Sequence, residues 1–175
     1  MNIVHIKDLP KSFSIKNFVS NQIIDGTIDI EFVYVSDFKN TKILRDFVEV
    51  ISLELGVTPS DIPLFILIVD ELNNNAIEYG TEKGGENKLR FKCVKKGDTY
   101  QINIEVEDTG KGPKHKNALE METLRAHQLK LGYNDHKSIR GRGLFMIIVK
   151  TVDRLYFRDT KTGGLIVGIR KNICK

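Results

Sequence analysis

Glu71 and Asn75 stand four residues apart in ELNNNAIEYG, and Glu78 follows three residues later, so a helix would carry all three side chains on one face. A carboxylate there could take a proton from a hydroxyl. An amide oxygen beside it could enter a magnesium shell, because Mg²⁺ favours hard oxygen ligands alongside phosphates. A core helix that turns polar as it reaches solvent would produce the same string, so the chemistry requires the face to point inward. Two further clusters follow in the chain. In EDTGKG, Asp108 precedes Gly110 and Gly112, which would let backbone approach a ligand closely, and an acceptor-only carboxylate suits the exocyclic amine of adenine. In RGRGL, Gly141 and Gly143 sit where a loop becomes a helix, so free N–H groups and the positive helix end would face an anion. Neither G-x-x-x-x-G-K-[ST] nor a strand-to-helix G-x-G-x-x-G occurs, so P-loop and Rossmann chemistry are not supported.

The elements that would hold these groups are legible from periodicity. Residues 28–35 alternate, with Ile28, Ile30, Phe32 and Tyr34 on one strand face. An amphipathic helix starts at Asn40 and Thr41, repeats Ile43, Leu44, Phe47, Val48, Ile51 and Leu55, and stops at Gly56. Thr58, Pro59, Ser60 and Asp61 read as cap, first helical position and capping box of a second helix. Its first half, Ile62 to Val69, is apolar nearly all round and is expected to be buried on several sides, with Gly80 ending the helix. Residues 89–95 and 100–107 form a hairpin across KKGD that delivers Asp108 to a strand end. Residues 111–139 read as a mobile lid with room for a short helix at 119–131, residues 141–151 as a helix, and 155–158 with 165–170 as a second hairpin across TKTGG. Phe13, Phe18, Ile23 and Ile24 could pack an extra N-terminal helix onto the domain or a partner.

The chain has 175 residues and 41% apolar content, which suits one domain with a short appendage. We take residues 1–27 as an N-terminal extension of unknown role and 28–175 as the domain. No apolar run approaches the roughly 20 residues that cross a bilayer, and the N-terminus lacks the apolar stretch of a secretory signal, so a cytoplasmic protein without membrane contact is expected. Cys93 and Cys174 have neither a disulfide-framework nor a metal-ligand spacing. Net charge is +4, and between Lys111 and Arg142 eight basic residues face three acidic ones. That stretch could attract nucleotide phosphates, an acidic partner or a nucleic-acid backbone. Nucleic acid is disfavoured, since Tyr133 is the sole aromatic among those basic residues. His115, His127 and His136 lack metal spacing and read as surface histidines.

Together, ELNNNA, DTGKG and GRGLFMI resemble the asparagine box and two glycine boxes of the Bergerat-fold (GHKL) ATPase superfamily, and within it the anti-sigma factor serine/threonine kinases. The resemblance covers residues 28–171. It implies an α+β fold: a two-layer α/β sandwich with a mixed sheet covered by helices on one face and a mobile ATP lid. It also implies ATP and Mg²⁺ as cofactors. Glu71 would be the general base, Asn75 the magnesium ligand and Asp108 the adenine reader. Gly110 and Gly112 would flank base and ribose, and Gly141 and Gly143, adjoined by Leu144, would support the phosphates with Arg140 or Arg142 nearby. The implied partners are a sigma factor and a small anti-sigma factor antagonist, the latter phosphorylated on serine or threonine; a homodimer is left open. Tyr79 departs from the histidine these kinases often carry, and the lid is longer than usual in the group. The alternatives are a non-catalytic ATP/ADP-binding switch and a histidine kinase catalytic domain. The latter would need a phosphoacceptor helix, which His5 lies too near the terminus to occupy.

Overall fold

Alternation of apolar and polar residues builds the sheet, and the same alternation gives it one dry face and one wet face. The computed structural model describes residues 1–131, 148 and 150–174. Among these, six strands form one mixed sheet: β1 (Asn2–His5), β2 (Ile28–Val35), β3 (Glu86–Lys96), β4 (Thr99–Glu107), β5 (Arg154–Asp159) and β6 (Leu165–Cys174), in the order β1-β2-β3-β4-β6-β5. β1 runs parallel to β2, and all other neighbours are antiparallel. The register stacks Ile30 on Phe91 and Phe91 on Ile104, and Ile104 on Ile169, a continuous buried row across four strands. On the opposite face, Arg90 grips Asp29 through two hydrogen bonds of 2.8 Å, and Tyr156 Oη donates to Glu105 at 2.8 Å.

The helices α1 (Ile15–Gln22), α2 (Thr41–Glu54) and α3 (Ile62–Asn75) complete the two-layer sandwich against the dry face. Leu44, Phe47, Val48 and Ile51 of α2 are fully buried, with the Phe47 ring 4.5 Å from that of Phe32. Gly56 stops α2 as expected. At φ +73° it turns the chain so that its own N–H reaches Leu53 O and the N–H of Val57 reaches Ser52 O, which satisfies two end carbonyls. The N-terminal residues join this layer: Phe13 and Phe18 lie 6.0 and 6.2 Å from Phe47 between ring centroids, and β1 extends the sheet. Ile24 does not pack with them, because a tight bridge to Thr27 turns it into solvent.

Two expectations for α3 need correcting. The helix starts at Ile62, and Thr58 to Asp61 form a turn in which Thr58 Oγ1 bonds the Asp61 carboxylate instead of capping backbone. Pro63 explains the shift. In a helix begun at Pro59 it would have to donate an N–H to the Pro59 carbonyl, and it has none; at the second helical position that donor is not needed. Nor is the first half buried all round. Phe65, Ile68 and Val69 face the core, whereas Ile62, Ile66 and Leu67 line a surface cavity of about 380 Å³ with Pro59, Pro63, Glu49 and Asp70.

The two hairpins form with longer strands than expected. β3 and β4 close through Gly97 and Asp98 alone. Within the expected lid, α4 (Ala118–Leu131) is started by a reciprocal cap: Glu120 N–H donates to the Asn117 side chain at 2.9 Å, and Asn117 N–H to the Glu120 carboxylate at 2.8 Å. The described residues include no helix long and apolar enough to cross a membrane.

Candidate nucleotide site

α3 delivers the first group of candidate residues. Its buried stripe fixes the helix, so Glu71 and Asn75, one turn apart at its C-terminal end, are held half-buried on a common face. Asn75 Nδ2 donates to Glu71 Oε1 at 3.2 Å, which leaves the amide oxygen of Asn75 for another partner. Burial raises the Glu71 pKa, the Asn75 hydrogen bond opposes that, and the like charge of Glu78 adds to the rise.

Beyond Asn75 the helix widens into a π turn, Ala76–Gly80, before the chain extends at Thr81. Such turns occur mostly as single units and frequently at functional sites. Here it presses Gly80 onto Asp108: a Cβ built on Gly80 would overlap the Asp108 carboxylate. Gly80 does end the helical segment, but close approach by the carboxylate is what demands a glycine there.

Asp108 leaves the end of β4 and is 9% exposed. Its Oδ1 accepts N–H groups from Gly110 and Leu165, both at 2.9 Å, while Oδ2 accepts no hydrogen bond among the described residues. One oxygen is therefore anchored and the other is available to a donor. The loop after Asp108 packs backbone to backbone with two others. A Cβ on Gly110 (φ +71°) would overlap the Gly163 carbonyl, one on Gly112 the Tyr79 carbonyl, and one on Gly164 the Asp108 carbonyl. The N–H of Gly112 donates to Gly80 O at 3.1 Å. Three glycine-bearing loops thus meet around Asp108, and a side chain at any of these contacts would force them apart.

Beneath this junction lies a buried polar layer. Tyr34 Oη donates to Asn73 Oδ1 at 2.6 Å, Thr81 Oγ1 bonds Asn87 Oδ1, and Thr81 Oγ1 accepts the N–H of Thr109 at 3.0 Å. Replacing Tyr34 with Phe keeps the ring and strips Asn73 of its donor in a dry site. The expected loss is about 1–3 kcal/mol of folding stability, read from urea unfolding midpoints; an unchanged midpoint would show that water takes over the bond.

His115 is corrected by the structure. It is only partly a surface histidine: its side chain is 22% exposed, but its Nδ1 is buried, has no hydrogen-bond partner among the described residues, and lies 3.8 Å from Asp108 Oδ1. His127 is exposed, as expected, and His136 lies outside the described residues. Cys93 is buried in β3, which pushes its thiol up to about 12, and Cys174 is exposed.

Arg140, Gly141, Arg142, Gly143 and Leu144 also lie outside the described residues. The structure otherwise groups Glu71 with Asn75, and Asp108 with Gly110 and Gly112. Sequence reading missed Gly80 as a carboxylate neighbour, the Gly163–Gly164 contact, the Leu165 anchor and His115. The paired glycines of TKTGG were a usable signal, but they read equally well as a plain hairpin turn.

The site should respond to pH in two opposite directions. Burial raises the Asp108 pKa, partly countered by the Leu165 and Gly110 N–H groups and by His115. A folded pKa above the unfolded one, about 3.9, gives stability that is present below the unfolded value and is lost as pH rises through the folded value. Ligand recognition through the ionised carboxylate would run the other way and weaken as pH falls through that same raised value. Nucleotide titrations across the acid range check this: loss of binding confined to the ordinary aspartate range would remove the burial argument.

The fit to magnesium is that of a partial shell. Among the described residues no cluster of three or more His, Cys, Asp or Glu could hold a metal, whereas the amide oxygen of Asn75 is free to serve as one ligand of an ion that takes its others from phosphates and water. The family model of the histidine kinase-like ATPase domain matches residues 35–171, a span that includes α3, the Asp108 loop and the Gly163–Gly164 loop. No curated protein matches the chain significantly.

Proposed function

The chain belongs to the histidine kinase-like ATPase domain family, and from that premise we propose that it is an ATP-dependent serine/threonine protein kinase of the anti-sigma factor class. It would phosphorylate a small anti-sigma factor antagonist and hold a sigma factor away from polymerase. The observation that carries the catalytic part is the half-buried pair on α3: a carboxylate with a raised pKa and an amide locked to it at 3.2 Å. The likeness of GRGLF to the last box of those kinases supports the class.

In this reading Asp108 binds the adenine amine, and Gly110 and Gly112 give backbone room for base and ribose. Asn75 would hold Mg²⁺ through its amide oxygen, and that ion would supply neutralisation of phosphate charge. Arg140 or Arg142, with Gly141, Gly143 and Leu144, supports the phosphates. Glu71 takes the proton from a serine or threonine hydroxyl as its oxygen bonds the γ-phosphorus. The bond from that phosphorus to the β–γ bridging oxygen breaks, and ADP leaves. Positioning and charge neutralisation supply most of the rate in such transfers.

The test is capture of partners from a lysate of the source cells on immobilised protein with Mg-ATP, Mg-ADP or no nucleotide, followed by phosphosite mapping. Retention of a sigma factor, plus a small protein phosphorylated on serine or threonine only with ATP, is the expected result. Nucleotide-dependent partners without phosphorylation would replace the kinase by a binding switch. Phosphohistidine on a retained partner would point to a histidine kinase system.

A further inference from the structure

Asn73 lies between Glu71 and Asn75 in the chain but points the other way, since residues two apart on a helix do not share a face. It is fully buried against the sheet, and its Oδ1 accepts the Tyr34 hydroxyl at 2.6 Å. That bond ties α3 to β2 on the side away from the candidate base. Tyr34 pairs in register with Asn87 of β3, and Thr81 Oγ1 bonds Asn87 Oδ1 while accepting the N–H of Thr109. Asn73, Tyr34, Asn87 and Thr81, each at most 2% exposed, therefore run as a polar row beneath the site. Stability does not account for this row. Asn73 Nδ2 and Asn87 Nδ2 are buried with no hydrogen-bond partner among the described residues, and a matched apolar pair would avoid that unfavourable burial. What a hydrogen bond supplies and apolar contact does not is a preferred angle. Phe65, Ile68, Val69 and Leu72 hold α3 by non-directional burial, and the Tyr34–Asn73 bond adds a directional contact at the level of Glu71 and Asn75.

We propose that Asn73, held by Tyr34, is a positioning residue for phosphoryl transfer: the bond sets the rotation of α3 and with it the aim of Glu71 and Asn75. This rests on the roles those two residues have in the proposed function. A turn of the helix about its axis moves groups on its opposite face by the same angle, so breaking the bond lets Glu71 and Asn75 swing together. Functional groups work only within about 0.5 Å and 10–20° of the productive geometry, and a misplacement of about 1 Å can lower a rate about 10²-fold. Burial pushes the Tyr34 hydroxyl well above its ordinary range, so it stays protonated and keeps donating at every working pH. Both side chains are shut off from the nucleotide and act through the helix.

The test is the double variant Tyr34→Phe/Asn73→Leu, which removes both polar partners and leaves an apolar pair. Unlike Tyr34→Phe alone it strands no acceptor, so its urea midpoint should return towards the wild-type value. Tyr34→Phe breaks the same bond and carries the test if the double variant does not fold. Two readouts are taken on folded protein. The first is NMR titration of the Glu71 carboxyl, identified by its absence in Glu71→Gln. In the wild type, burial raises its pKa, Asn75 opposes the rise and Glu78 adds to it; in the variants the titration should move towards the ordinary glutamate value of about 4.3. The second is transfer from radiolabelled ATP to the proteins of a desalted lysate of the source cells, with Glu71→Gln as the blank for other kinases. The maximal rate should fall at least about tenfold while the half-saturating ATP concentration stays within about threefold. Titration and rate both unchanged would overturn the inference, and so would a change in only one of them, because the bond would then not set the aim of the base. A wild type that transfers no more than the blank would remove the kinase reading by itself. The titration alone then decides whether Asn73 sets the helix, and an unmoved titration would overturn that as well.

Discussion

Replacing Glu71 with Gln should lower phosphoryl transfer by about 10²–10⁴-fold, the contribution of one positioned general base, and leave ATP affinity within about twofold. The substitution keeps the shape of the side chain and a hydrogen-bond acceptor for Asn75, so binding and chemistry separate cleanly. Transfer to the captured substrate measures one and nucleotide titration the other. Undiminished transfer would remove Glu71 as the base. The pH profile adds a second reading. A base must be ionised, and burial with Glu78 nearby raises the Glu71 pKa, so the acid limb of the rate should lie above the ordinary glutamate value of about 4.3. Glu78→Gln removes a like charge and should move that limb down. A limb that does not move would show that the titrating group lies elsewhere.

Replacing Gly110 with Ala should be as damaging by another route. Its left-handed φ of +71° disfavours any side chain by about 1–2 kcal/mol. The added Cβ would also overlap the Gly163 carbonyl, a backbone atom that cannot rotate away. The loops can relieve the overlap only by separating, which also displaces Asp108, since Gly110 and Leu165 both hold its Oδ1. The expected result is a melting temperature lower by at least about 4–8 °C, as for 2 kcal/mol or more in a chain of this size, with ATP affinity down more than tenfold. Gly97→Ala is the internal control. Gly97 has a similar φ of +60° but nothing within 4 Å of the new Cβ, so it isolates backbone strain from collision. Equal losses for both would show that the meeting of the loops contributes nothing.

Local signals explain why much of the framework was legible. Ile28 to Tyr34 alternates because one face of β2 is dry and the other wet, and Gly56 ends α2 because the chain must turn through a left-handed residue there. The Glu71–Asn75 pair was readable for the same reason, since helical spacing alone puts residues four apart side by side. Where two local signals competed, the result was harder to foresee. Thr58 and Pro59 advertised a helix start, and Pro63 overruled them because a proline cannot donate in the second turn.

The sequence by itself determined the order of elements, the face shared by Glu71 and Asn75, and the delivery of Asp108 to a strand end. Each of these depends on residues a few positions apart. Only the tertiary structure decided that Gly80 and Gly164 both press on Asp108, that Leu165 anchors its carboxylate across the sheet, and that His115 faces it from the following loop. Those contacts join residues up to 57 positions apart. They are set by strand order and by loops meeting backbone to backbone, which leave no periodicity in the chain to read.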